Sequence, residues 1–257
     1  MSDRSSQQSR AHGCEGAGYP VVLDVRGRPC LVVGAGAVAA RKVAGLVGAG
    51  AEVTVVAPRV HPTIAALADD QEGVATRSGA GTVAIERRPY RAGDAARFRL
   101  VVTATGLPEV DDLVVADAEA AGVWLNCADD PGRSSFLLPS VHRDGPVSVA
   151  VSTGGASPAL AGWLRRRLGN AAGRHVGELA TLLADGRRRI QAQRRPTSAV
   201  DWQALLDGPL PDLVADGRIE EARAIVDRAT APEGRDAPPE DLARAPERGG
   251  AAPAHGA

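Results

Sequence analysis

Gly34, Gly36 and Ala39 stand in the spacing Gly-x-Gly-x-x-Ala, directly behind the apolar run Cys30-Leu31-Val32-Val33 and at the start of a helical pattern. That spacing suits a pyrophosphate. The first glycine allows a tight turn, the second lets a phosphate approach the backbone, and the small third residue lets the helix pack on the strand. The N–H groups at the positive end of the following helix then hold the anion, so Gly34, Gly36, Ala37 and Val38 are the candidate cofactor-binding residues. The competing reading is a bare structural turn in a chain with 30 glycines, and the strand-to-helix context favours the dinucleotide over it. A second strand that carries NAD usually ends in an acid for the ribose hydroxyls. Here it ends Val56-Ala57-Pro58-Arg59, and Arg59 suits either a 2′-phosphate or a solvated loop, so the residues alone leave NAD and NADP even.

Two further groups could do chemistry. Asp129 and Asp130 follow the strand around Trp124, which puts them at a carboxyl edge where acids serve proton abstraction or metal handling. For Asp129 function outweighs structure; for Asp130 the turn before Pro131 explains the residue. Ser152-Thr153-Gly154-Gly155-Ala156-Ser157-Pro158 joins a strand to a helix. Ser157 reads as its N-cap with Pro158 at the first helical position, while Ser152, Thr153, Gly154 and Gly155 could present hydroxyls and N–H groups to a substrate carboxylate. Arg165-Arg166-Arg167 reads as a solvated helix face. The five histidines show no metal-ligand spacing, and the three cysteines fit neither a disulfide framework nor a metal site, which suits reduced thiols in the cytoplasm, Cys127 being a small buried apolar residue.

These residues need elements to hold them in place. Strand, glycine turn, helix and the strand Val53 to Ala57 within thirty residues make a right-handed βαβ unit. The alternation continues with a helix over 60–69, strands at 83–86 and 100–104, a helix over 109–121 and a strand at 123–126. The fold class predicted is α/β, a doubly wound parallel sheet with its ligand site at the carboxyl ends of the strands. Next come strands over 135–141 and 147–152 with a turn at 142–146, then helices over 158–168, 171–193, around Trp202 and over 219–229. The domain reading is a disordered tail over 1–17, a nucleotide-binding domain over 18–131, a dimerisation region over 132–168, a helical domain over 169–229 and a second disordered tail over 230–257. The Gly-rich stretch 71–81 reads as a surface loop.

Thirty basic and 31 acidic residues nearly cancel, which argues against a nucleic-acid partner or a polybasic membrane binder. With 3% aromatic residues a base-stacking surface is equally poor. No run approaches the ~18 apolar residues of a membrane span, and the first residues lack the apolar core of a secretion signal.

Several motifs in order resemble one family. The stretch from Tyr19 to Pro29, the glycine loop with its helix and second strand, Val101-Val102-Thr103-Ala104-Thr105, the Asn126-x-x-Asp129-Asp130-Pro131 turn, and the segment Val151 to Leu168 together resemble the precorrin-2 dehydrogenases, the dehydrogenase and ferrochelatase module of siroheme synthases. The likeness runs continuously from Tyr19 to Leu168 and more loosely to about residue 229. It implies NAD as cofactor, precorrin-2 as substrate, sirohydrochlorin as product, ferrous iron insertion in many members, and a homodimer. It places Gly34, Gly36, Ala37, Val38, Pro58, Arg59, Thr103 and Thr105 on the cofactor, Asp129 in catalysis, and Asn126, Ser152, Thr153, Gly154 and Gly155 by the tetrapyrrole, with no resident metal site. Gly106-Leu107 depart from the family, which more often has acids there, as does the added loop near 71–81. The residues left over are too few for a methyltransferase domain. Two other readings differ in kind: a non-catalytic NAD(H)-binding regulatory module, and a chelatase alone.

Overall fold

The computed structural model describes residues 18–69 and 81–232. The expected tail over 1–17, the loop residues 71–80 and all of the C-terminal tail beyond residue 232 lie outside that range.

Five strands form one parallel sheet: β1 (Pro29–Val33), β2 (Glu52–Val56), β3 (Thr82–Glu86), β4 (Leu100–Thr103) and β5 (Trp124–Cys127), in the spatial order β3-β2-β1-β4-β5. The helices α1 (Ala37–Gly48), α2 (Pro62–Asp69) and α3 (Pro108–Ala121) return the chain between parallel neighbours. Chain order reverses between β1 and β4, the switch point at which such sheets bind ligands.

The short apolar runs become strands because both faces of the sheet are covered. Cys30, Val32, Val53, Val55, Val83 and Val102 face Ala39, Ala40 and Val43 of α1 and Ile64 of α2. Leu31, Val33, Val101 and Leu125 face the opposite side, against Val114 and Ala118 of α3. Leu31 and Ile64 are fully buried, and burial of each such side chain contributes about 1.5–3 kcal/mol.

The chain divides into two compact units, one of residues 1–141 with 150–166, the other of 142–149 with 167–257. The expected dimerisation region 132–168 is therefore shared between them rather than a body of its own. Its strands are β6 (Ser140–Asp144) and β7 (Val147–Val151). The predicted strand start at 135 is corrected to Ser140, because Ser134 to Phe136 are bonded along the edge of β5 instead. The predicted five-residue turn shortens to Gly145-Pro146, with Gly145 at φ 50, a two-residue hairpin loop.

Helix α4 (Pro158–Ala171) follows, longer by three residues than expected. The expected helix over 171–193 begins only at α5 (Val176–Ala192), because Gly173 and His175 turn left-handed at φ 90 and 63. The second unit then holds α6 (Trp202–Asp207), α7 (Leu210–Ala215) and α8 (Ile219–Ala229) around Leu182, Leu210, Val214, Ala222 and Val226. Helix α7 is not among the expected elements: the sequence pattern predicts a short helix around Trp202 and the next at 219, and Gly208-Pro209 starts a further one between them. Residue 230 does not open the tail: Thr230 is buried, and its hydroxyl donates to the Val226 carbonyl at 2.8 Å.

Candidate functional site

The glycine loop sits at the carboxyl end of β1. Gly34 adopts φ 95, a left-handed conformation costly for any side chain, and its N–H donates to the Val56 carbonyl at 3.0 Å. Ala104 donates to the Val33 carbonyl at 2.9 Å and His61 to the Ala35 carbonyl at 3.0 Å, so the loop is held from β4 and from the connection after β2. Gly36 is the N-cap of α1 in extended conformation, no side chain caps that end, and no acid stands in the first turn. A Cβ on Gly36 would meet no atom within 4 Å. An open helix start, uncapped by any side chain among the described residues, fits a pyrophosphate, so the residues present fit the group that the motif implies. Pro58 and Arg59 are both exposed beyond the end of β2, on the far side of β1 from β4.

Thr103 ends β4, buried at 1% exposure, and Thr105 follows in the loop to α3. Both hydroxyls donate to one oxygen of Asp111, that of Thr105 at 2.8 Å. Asp111 was missed by the sequence reading. Its signal was an acid on the stripe that α3 buries, with Val114 and Ala118.

At the end of β5, Ala128 donates to the Thr103 carbonyl at 2.9 Å, which ties the loop carrying Asp129 to the end of β4. Asp129 is exposed and makes no hydrogen bond or ion pair among the described residues. Asp130 accepts from the Gly132 N–H at 2.9 Å and caps the short helical turn Pro131–Arg133, as a turn former should. Asn126 is buried at 5% exposure. Its Nδ2 donates to the Phe136 carbonyl at 3.1 Å, while its Oδ1 is buried without a partner among the described residues.

The Ser152-to-Gly155 loop is structured from within. Thr153 Oγ1 accepts from the Ser157 N–H at 3.1 Å and donates to the Ser157 carbonyl at 3.2 Å. Ser152 Oγ accepts from the Gly154 N–H at 3.2 Å, and Ser157 Oγ caps α4 by accepting from Leu160 at 3.2 Å. The Thr153 hydroxyl is thus already engaged. Among the described residues no three His, Cys, Asp or Glu side chains gather where a metal ion would sit, and no helix is long and apolar enough to cross a membrane.

Two stretches of the chain match known families. Residues 21–140 match a family described as putative NAD(P)-binding, and residues 144–171 match the central segment of sirohaem biosynthesis proteins. A siroheme synthase of Methylococcus capsulatus is 38% identical over 209 residues, which cover 80% of this chain and 42% of that protein. A siroheme synthase of Nitrosococcus oceani is 37% identical over 212 residues, 82% of this chain and 43% of that protein. The chain therefore spans about two fifths of the length of these curated relatives. Among solved structures, SirC, a precorrin-2 dehydrogenase, superposes with a TM-score of 0.62 at 24% identity, covering 82% of this chain and 99% of that one. That likeness confirms the doubly wound fold with its smaller additions.

Proposed function

We propose, from this chain's likeness to siroheme synthases over the part of those proteins that it spans, that it oxidises precorrin-2 to sirohydrochlorin with NAD. The observation that carries the reading is the glycine loop, open and uncapped at the start of α1, two strands away from an exposed acid at the end of β5. The cofactor is a nicotinamide dinucleotide. NAD rather than NADP is the proposal because it is the cofactor that the family resemblance implies.

When bound, the nicotinamide supplies a hydride acceptor. The chain's own part is placement and proton handling, which together provide much of such a rate. Gly34, Gly36, Ala37 and Val38 hold the pyrophosphate, Pro58 and Arg59 border the adenosine side, and Thr103 and Thr105 shape the loop on the other side of β1. Each oxidation removes a hydride and a proton from the macrocycle, and Asp129 accepts the proton at its carboxylate. Asn126 and the Ser152-to-Gly155 loop are proposed to border the tetrapyrrole. Ferrous iron would be a second substrate: its insertion into sirohydrochlorin would use Asp129 as acceptor for the departing pyrrole protons. The proposal includes action in the cytoplasm as a homodimer.

The test is direct. Purified protein given precorrin-2 and NAD should develop the absorbance of sirohydrochlorin together with that of NADH. No change in either absorbance, with NAD binding intact, would favour the regulatory module.

A further inference from the structure

We infer that Asp111 is a positioning residue for the nucleotide site: its carboxylate clamps the loop from Ala104 to Leu107 against the glycine loop and thereby sets dinucleotide affinity. The inference rests on the nicotinamide-binding reading and deepens it.

Asp111 lies on the buried face of α3 at 6% exposure. A buried carboxylate is costly unless it is hydrogen-bonded. One oxygen receives both threonine hydroxyls, from Thr103 in the last position of β4 and from Thr105 two residues on. Thr105 Oγ1 also accepts from the Leu107 N–H at 3.0 Å, so one hydroxyl fixes the loop to α3 and closes it on itself. The intervening Gly106 is left-handed at φ 67, and glycine alone would leave the loop loose.

The clamped segment is the one on which the glycine loop rests. A Cβ on Gly34 would lie 2.7 Å from the Ala104 carbonyl carbon and 3.0 Å from the Thr105 Cα. Displacing Thr105 therefore displaces the surface that sets the path from Gly34 into α1. A leucine at 111 would complete the apolar stripe with Val114 and Ala118, so the carboxylate contributes direction to two hydroxyls rather than burial.

The experiment measures NAD affinity of the full chain by calorimetry, with urea midpoints alongside. Loss of hydrogen bonds to a charged group implies that Asp111→Ala weakens NAD roughly tenfold or more. Asp111→Asn keeps an acceptor oxygen and should stay within about threefold of wild type. Thr105→Val should weaken NAD too, and adding it to Asp111→Ala should cost little more, since partners in one network are not additive. A folded Asp111→Ala protein with wild-type affinity overturns the clamp, as does an Asn variant as weak as Ala. Should Asp111→Ala not fold, Thr105→Val decides: unchanged affinity overturns the inference. Wild-type protein that binds neither NAD nor NADP overturns the nucleotide reading and the clamp with it.

Discussion

The carbonyl of Ala104, at the end of β4, occupies the space that a side chain on Gly34, at the end of β1, would need. Gly34 is also left-handed at φ 95, so two independent constraints exclude a Cβ there. Gly34→Ala is expected to lose about 1–3 kcal/mol of stability together with nucleotide affinity, read as a lower urea midpoint and a weaker calorimetric signal.

Gly36 is the contrasting position. A Cβ on it meets nothing within 4 Å, so Gly36→Asp should keep its stability within about 0.5 kcal/mol. Its carboxylate would nevertheless stand at the helix start and repel a phosphate. Loss of NAD binding in a protein with an unchanged melting curve is expected; undiminished affinity would remove the glycine loop from the site.

Asp129→Ala removes an exposed carboxylate without a partner among the described residues, so folding should be unaffected. Loss of a general base typically lowers rate by ~10² to 10⁴, and precorrin-2 oxidation should fall in that range. Iron insertion should fall as well, whereas Gly36→Asp should spare insertion into supplied sirohydrochlorin. Wild-type protein that oxidises precorrin-2 but never accelerates metal insertion would be a dedicated dehydrogenase.

Burial pushes the Cys30 thiol from 9.0 up to about 11. The native state then keeps this proton at pH values where the unfolded chain has lost it, so stability must fall as pH rises. The fall begins near the unfolded value and is complete above about 11, on the order of 2 kcal/mol in size. Urea titrations between pH 8 and 11 should show this slope, and Cys30→Ala should remove its lower part, while Tyr90, whose hydroxyl burial also pushes up, leaves a fall at the alkaline end.

Leu160, Trp163 and Leu168 of α4 are each about half exposed, at 46%, 45% and 46%, and among the described residues β6 and β7 form a two-stranded sheet. Apolar side chains at helical spacing and open strand edges suit a two-fold partner. Light scattering at micromolar concentration should give twice the chain mass, and Trp163→Glu should halve it; a wild-type monomer mass would count against the dimer.

The nucleotide half of the fold was legible because its signals are local. A strand buried on both faces reads as an unbroken apolar run, and Gly34 and Gly36 mark the turn by type and spacing alone. Ser157 was legible as a cap and Asp130 as a turn former for the same reason. Asp111 was not, since its role appears only when α3 folds back and brings it beneath Thr103 and Thr105. The early strand start failed because apolar Phe136 and Leu137 mimic a strand, while Ser134 and Ser135 bind sideways to β5, a contact with no sequence period. The second unit was harder still: short helices separated by Gly208-Pro209 or by left-handed His175 have boundaries fixed by backbone turns rather than by apolar spacing.

Those two serines have one more effect. On the outer edge of β5, the Leu125 N–H donates to Ser135 Oγ at 2.7 Å and the Cys127 N–H to Ser134 Oγ at 2.9 Å, while the same hydroxyls donate back to the Leu125 and Cys127 carbonyls at 3.2 and 3.3 Å. Ser134 and Ser135 thus stand in for a sixth strand, with the Ser135 backbone N–H also donating to the Leu125 carbonyl at 2.8 Å. Bare edge strands recruit other chains, and Trp124, 53% exposed on this one, would reward such recruitment with apolar contact. The outward ladder groups of Leu125 and Cys127 are thereby answered, so along this stretch the β5 edge is not bare and is guarded against edge-to-edge pairing.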